Sequence, residues 1–320
     1  MTRPPGTSAT TASEPGFRHE LYAYEGDSQF LPGVLSFVDD ARAGSEVVLV
    51  AVTGSKERLL RAELEGTGAA SSVSFLDVAA LGRNPGRLIP AWQEWIAKRA
   101  ADGHAVRGIS ELPWDQGTAS EAEELRYHEW LLNLAFAQSP AWWLLCPYDS
   151  TLLDPAVLEA AGRCHPQALS AGVHGANPAF VEEPYAFGDL SAPCDPSQEL
   201  VFRTGELAAV RDKVTACAAG HGIEATRLRE LLVAATEVAS NSTKYGGGWG
   251  TLRTWVEDGT FICEFHDSGH IRDPLIGRVR PTVDQHGGRG MWLVHQLCDL
   301  VQIRSTAENG TTVRLHTAVH

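Results

Sequence analysis

The stretch Ala225–Tyr245, reading ATRLRELLVAATEVASNSTKY, constrains the fold of this 320-residue chain more than any other. Leu228, Leu231, Leu232, Ala235, Val238 and Ala239 recur at helical spacing, which predicts one long helix with a single apolar stripe. Gly246, Gly247 and Gly248 then stop it, because glycine tolerates the left-handed turn that ends a helix. Two strand-like runs follow, at 251–256 and 261–266. In the second, Phe261, Cys263 and Phe265 alternate with Ile262, Glu264 and His266. Two further strands, 300–305 and 311–316, are expected around a Glu-Asn-Gly turn.

The polar face of the helix carries the chemistry. Glu237 and Asn241 are four residues apart and stack on one side, with Lys244 nearby. A carboxylate beside an amide oxygen suits a hydrated Mg²⁺, which prefers oxygen ligands. The same carboxylate can instead take a proton from an attacking hydroxyl. Standing alone, such a pair is an ordinary solvated helix face.

Two glycine-bearing loops change its meaning. Asp267-Ser268-Gly269 ends the second strand, where a carboxylate can accept from an exocyclic amine and Gly269 lets backbone approach a flat ring. Gly287-Gly288-Arg289-Gly290 opens a helix whose free N–H groups and dipole suit phosphate oxygens, with Arg289 as an added cation. Each loop by itself reads as a plain turn or helix start.

The order E-x-x-x-N, D-x-G, G-G-x-G, then Gly310-Thr311 resembles the GHKL ATPase superfamily, and within it the bacterial anti-sigma-factor serine kinases. The runs EVASNSTKYGGG and GGRGMWLVHQLCDLVQIRS carry the likeness. The resemblance implies an α/β sandwich, ATP and Mg²⁺ as cofactors, and phosphorylation of a serine or threonine on an anti-anti-sigma (STAS-type) partner, with a sigma factor as a further partner. By the same likeness Glu237 is the general base, Asn241 the Mg²⁺ ligand and Asp267 the adenine reader. Lys244, Gly269, Gly287, Gly288, Arg289, Gly290 and Thr311 complete the nucleotide site. Such proteins often dimerise through this domain, so a homodimer is an expectation of the resemblance alone. One departure stands out: His270 follows Asp267-Ser268-Gly269 where a small residue is expected. It leaves a catalytically inactive, ATP-gated module that sequesters a partner as the second reading. A sensor histidine kinase is disfavoured, because no dimerising helical hairpin precedes the domain.

Length predicts a second domain, and 43% hydrophobic with 21% charged residues is ordinary for globular chains. Residues 17–176 alternate strand and helix. Strands are expected at 19–24, 46–52, 73–77, 106–110 and 142–146, and helices at 27–43, 85–101, 119–137 and 155–164. The unbroken apolar run VVLVAV predicts a parallel sheet covered on both faces. The fold class is therefore α/β, an open, mostly parallel sheet domain followed by the GHKL-type sandwich. Thr53-Gly54-Ser55-Lys56 lacks the glycine spacing and following hydroxyl of a phosphate loop.

Near the predicted strand ends lie Glu111, His128, Glu129, Asn133, Tyr148 and Asp149. They read either as a ligand crevice or as helix-surface and capping groups. FLPGVLSFVDDARAGSEVVLVAV at 30–52, LGRNPGR at 81–87, RYHEWLLN at 126–133 and CPYD at 146–149 resemble the MEDS sensory domain, which implies an unidentified small ligand or signal.

Residues 1–16 are expected to be a disordered tail, 177–198 a linker with Tyr185 and Phe187 as docking aromatics, and 199–320 the ATP-binding domain. A net charge of −14 argues against direct nucleic-acid binding. Six cysteines without a C-x-x-C pair predict reduced thiols in the cytoplasm. Cys164-His165 looks like half of a metal site, but no second pair accompanies it, so no zinc site is expected. No signal peptide or membrane-length apolar stretch is read, so no membrane partner is expected.

Overall fold

The computed structural model describes residues 16–65, 72–81, 84–114, 117–188, 190–193, 199–282 and 288–319. The expected N-terminal tail, Gly287 and Cys194 lie outside these residues, Gly16 excepted.

The first domain runs β1 (Phe17–Tyr24), α1 (Gly26–Ala43), β2 (Val47–Ala51), α2 (Gly54–Leu64), β3 (Val73–Phe75) and α3 (Val78–Leu81). A 3-10 turn at Pro85–Arg87 leads into α4 (Leu88–Ala101), β4 (Val106–Ser110), α5 (Ala119–Phe136) and β5 (Trp142–Asp149). Then come α6 (Pro155–Cys164), β6 (Gln167–Ser170) and β7 (Val173–Ala176). The seven strands form one sheet in the order β3-β2-β4-β5-β1-β6-β7. Every pairing is parallel except β6 with β7.

The apolar run predicted to be buried on both faces is so. Val48 and Val50 pack with Phe30, Val34 and Leu60 of α1 and α2 on one side. Leu49 and Ala51 pack with Trp92, Leu131 and Ala161 of α4, α5 and α6 on the other. Strand periodicity sends neighbours to opposite faces, so a sheet sandwiched by helices needs both sets apolar. α5 starts at a capping box in which Thr118 and Glu121 satisfy each other's backbone N–H groups.

Three local expectations are corrected. The helix expected from residue 85 begins as a 3-10 turn, with Asn84 Oδ1 accepting from Gly86 N at 3.0 Å. The strand expected to stop before Pro147 continues to Asp149. Pairing to β4 ends at Leu145 while pairing to β1 runs on, so Pro147 sits where β5 has a partner on one side only. The third concerns residues 165–176, where no strand is read from the sequence and the structure forms the β6–β7 hairpin.

The second domain contains β8 (Leu200–Arg203), α7 (Leu207–Ala218), α8 (Ala225–Tyr245), β9 (Trp249–Glu257) and β10 (Thr260–Asp267). It ends with α9 (Arg289–Leu297), β11 (Leu300–Thr306) and β12 (Gly310–Ala318). The sheet order is β11-β12-β10-β9-β8, all antiparallel. Phe261, Cys263 and Phe265 face α7, α8 and α9, as their alternation predicted. The opposite face is polar but closed: Arg314 meets Glu264 at 2.7 Å and donates to Ser191 O at 2.6 Å. Tyr185 and Phe187 dock on α5, with Phe187 4.4 Å and Tyr185 5.2 Å from the Tyr127 ring.

The two domains share a polar interface. Glu124 of α5 pairs with Arg278 at 2.5 Å and Arg304 at 2.8 Å. Tyr127 Oη donates to Pro274 O at 3.2 Å. Arg87 donates to three carbonyls at the C-terminal end of α9, those of His295, Gln296 and Cys298, at 2.8–3.0 Å. These are carbonyls that a helix leaves without internal partners.

Candidate nucleotide site

α8, β10, β12 and the start of α9 enclose a cavity of about 920 Å³. The apolar stripe of α8 is buried against the sheet through Leu231, Ala235, Val238 and Ala239, which turns Glu237 and Asn241 into the cavity. Both are half-buried. Lys244 is exposed at the rim, its Nζ 4.9 Å from the Tyr245 ring.

Asp267 is buried at the end of β10, beside the glycine stop of α8. Its Oδ1 accepts from Gly269 N at 2.8 Å. Thr311 on β12 braces the same loop, donating from Oγ1 to Gly269 O at 2.8 Å. Ser268 Oγ donates to Gly246 O at 2.9 Å, tying the loop to the end of α8.

Gly288 caps α9 with φ 80°, a left-handed conformation that side chains rarely adopt. Gly290 lies against Glu237: a Cβ there would fall 2.5 Å from Glu237 Oε2. Thus the first turn of α9 opens beside the Glu237 carboxylate. Arg289 is exposed and also lines the cavity.

The cavity therefore collects Glu237, Asn241, Lys244, Asp267, Gly269, Gly288, Arg289, Gly290 and Thr311; Gly287 lies outside the described residues. His270 is exposed at the mouth and lines it with Ile271 and Arg272. The residues suit Mg-ATP. At one end a carboxylate sits where backbone can approach it, since a Cβ on Gly246 would fall 2.3 Å from Asp267 Cγ. At the other, oxygen donors face a helix N-terminus.

In the first domain the helix-surface reading of α5 is overturned. His128 and Glu129 are fully buried, and Asn133 is held between His19 Nδ1 at 3.1 Å and Cys164 O at 2.7 Å. Burial lowers His128 to about 4. Glu111 accepts from Tyr24 Oη at 2.5 Å, and Asp149 accepts from Gly26 N at 3.3 Å and Thr151 Oγ1 at 2.6 Å, so these two brace loops. Of the Cys164-His165 pair, His165 alone joins a buried group with His19, Glu129 and Cys146. Those groups come from β1, α5, β5 and the end of α6, so no short motif announced them.

An open cleft with a buried carboxylate at one end and a helix N-terminus at the other fits a nucleotide-binding domain, here joined to a mostly parallel α/β sheet domain. Family models agree with both halves. Residues 200–317 match the histidine kinase-like ATPase domain, and residues 18–166 match the methanogen/methylotroph DcmR sensory domain, MEDS. The chain is a MEDS sensory domain joined to a histidine kinase-like ATPase domain, which makes it a regulatory ATP-binding protein. No curated protein is significantly similar to it. No helix among the described residues is long and apolar enough to cross a membrane.

Proposed function

We propose that the protein is a serine/threonine kinase of the anti-sigma type, acting in the cytoplasm on an anti-anti-sigma (STAS-type) partner and controlled by its MEDS domain. The observation that carries this reading is the approach of Gly290 to Glu237, which sets a carboxylate beside the helix start suited to phosphate. Mg-ATP, when bound, supplies a transferable phosphoryl group. Glu237 accepts the proton released by the partner's hydroxyl. Asn241 offers its amide oxygen to Mg²⁺, and Asp267 accepts from the adenine amine. The N–H groups of α9, with Arg289 and Lys244, hold phosphate oxygens. Thr311 keeps the Asp267 loop in place through Gly269.

His270 at the cavity mouth favours a second reading: ATP-gated sequestration of a partner without phosphoryl transfer. One set of experiments separates the two. Calorimetry of the full chain with Mg-ATP should give saturable heat; none from folded protein removes both readings. With a STAS-type partner and labelled ATP, phosphoprotein that disappears in Glu237→Ala while ATP affinity persists supports the kinase. ATP-dependent retention of the partner without phosphoprotein selects sequestration.

A further inference from the structure

Four buried side chains in the MEDS domain point their donor atoms at one another. His19, Glu129, Cys146 and His165 each contribute one ligand-type atom, and all four atoms lie within 4.8 Å. Glu129 Oε2 is 3.3 Å from His19 Nε2 and 3.3 Å from His165 Nε2. Cys146 Sγ is 3.4 Å from His19 Nε2. A tetrahedral zinc ion with bonds of about 2.0–2.3 Å separates its ligand atoms by roughly 3.3–3.6 Å. These contacts fall on that edge length.

The surrounding hydrogen bonds fix which ring nitrogens face inward. Asn133 Nδ2 donates to Cys164 O, so its Oδ1 is the atom facing His19 Nδ1. Ala161 O faces His165 Nδ1 at 2.7 Å. Both acceptors call for a proton on Nδ1, so Nε2 is the nitrogen each ring turns to the cluster, and in the neutral ring that nitrogen carries a lone pair a metal can take. Glu129 Oε2 meets both Nε2 atoms at 3.3 Å, longer than a good charge-assisted hydrogen bond, and neither Glu129 Oε2 nor His165 Nε2 makes a well-formed hydrogen bond. The single thiol proton of Cys146 can satisfy only one acceptor. A divalent cation satisfies all four, and oxygen-bonded Nδ1 atoms are the outer support that metal-bound histidines take.

We propose that His19, Glu129, Cys146 and His165 form a zinc site in the sensory domain. Two imidazoles, a thiolate and a carboxylate are a borderline donor set suited to Zn²⁺ rather than Mg²⁺ or Ca²⁺. Binding displaces the Cys146 thiol proton to solvent and forms no other new covalent species. The site adjoins a cavity of about 420 Å³ lined by Glu129, Tyr148 and Cys164. It also shares α5 with Glu124, which holds the ATPase domain.

The test uses the untagged full chain, saturated with Zn²⁺, desalted and analysed for metal, with Co²⁺ as a spectroscopic probe. We expect about one zinc per chain and, with cobalt, a thiolate-to-metal charge-transfer band with tetrahedral visible bands. Cys146→Ser should abolish the charge-transfer band, and His165→Asn should lower zinc retention at least about tenfold. Folded wild-type protein that keeps less than about a tenth of an equivalent of zinc, and gives no cobalt–thiolate band, overturns the proposal and leaves an imidazolium–carboxylate pair as the occupant. Preference for another transition ion at the same residues overturns the zinc assignment. The wild-type measurements decide the matter even if a variant does not fold.

Discussion

Glu124 Oε2 accepts from Arg278 Nη2 at 2.5 Å, with both side chains buried between the two domains. Glu124 Oε1 accepts from Arg304 Nη1 at 2.8 Å, and Glu123 takes the other Arg304 nitrogen at 2.8 Å. One helix of the sensory domain thus neutralises two arginines of the ATPase domain. Arg278 lies in the segment between the two glycine-bearing loops of the nucleotide site, so the sensory domain grips the segment beside the cleft.

Replacing Glu124 by Gln should leave Arg278 and Arg304 short of counter-charge in a buried place. Removing one partner of such a pair costs about 3–5 kcal/mol. Urea unfolding should show a lower midpoint, and limited proteolysis should cut the 177–198 segment faster than in the parent. An unchanged midpoint would mean the interface is solvated in solution.

Arg87 closes the C-terminal end of the helix whose other end opens on the nucleotide cavity. Arg87→Met removes hydrogen bonds to four carbonyls, the three at the end of α9 and that of Leu81, and should destabilise the chain by about 2–3 kcal/mol. ATP affinity, measured by calorimetry, should fall with it if α9 shifts.

Gly86 packs flat on His295, and a Cβ there would sit 2.2 Å from His295 Nδ1. The ring is fully buried, so it moves only by displacing its neighbours or filling a void. Gly86→Ala should therefore cost about 1–3 kcal/mol by overpacking. Thermal melting reads this directly; a melt equal to the parent's would show that the interface can slide.

Asp267→Asn keeps an oxygen for Gly269 N but loses the charged acceptor for an adenine amine. A lost charge-assisted hydrogen bond of about 1.5–3 kcal/mol weakens ATP roughly 10- to 100-fold. Fluorescent-nucleotide titration checks it, and an unchanged affinity would place the base elsewhere.

His316 supplies a pH dependence. Burial, aided by the Arg314 charge, holds its imidazole down at about 4, against an ordinary value of 6.5. The folded state therefore keeps the neutral ring, whose Nε2 lies 3.1 Å from Gln302 Oε1. A histidine depressed in this way contributes stability above pH 6.5, and the contribution is lost as pH falls from 6.5 through 4. The full effect is on the order of 3 kcal/mol. His316→Phe should flatten the slope of melting temperature against pH in that window, and a parallel slope would refute the assignment.

Much of the second domain was legible in the chain. The α8 stripe, its glycine stop and the alternation of Phe261, Cys263 and Phe265 are local patterns, and local patterns report local geometry. The order of the acidic and glycine-bearing motifs likewise pointed to one cavity, because each motif has its own short-range reason to exist. Pro147 shows where this fails. The strand read at 142–146 runs on through it to Asp149, because its position beyond the β4 ladder leaves no hydrogen bond for a proline to break on that side.

The buried cluster of the first domain lay further out of reach. His19, Glu129, Cys146 and His165 belong to different elements, and no spacing between them carries information until the parallel sheet stacks β1 beside β5 and the α5 and α6 helices cover them. By itself the sequence determined the helices, the strand alternation and the motif order, because these depend on neighbours three or four residues away. Only the tertiary structure decided which distant polar groups share a dry interior, since burial and donor geometry arise from packing between elements rather than within them.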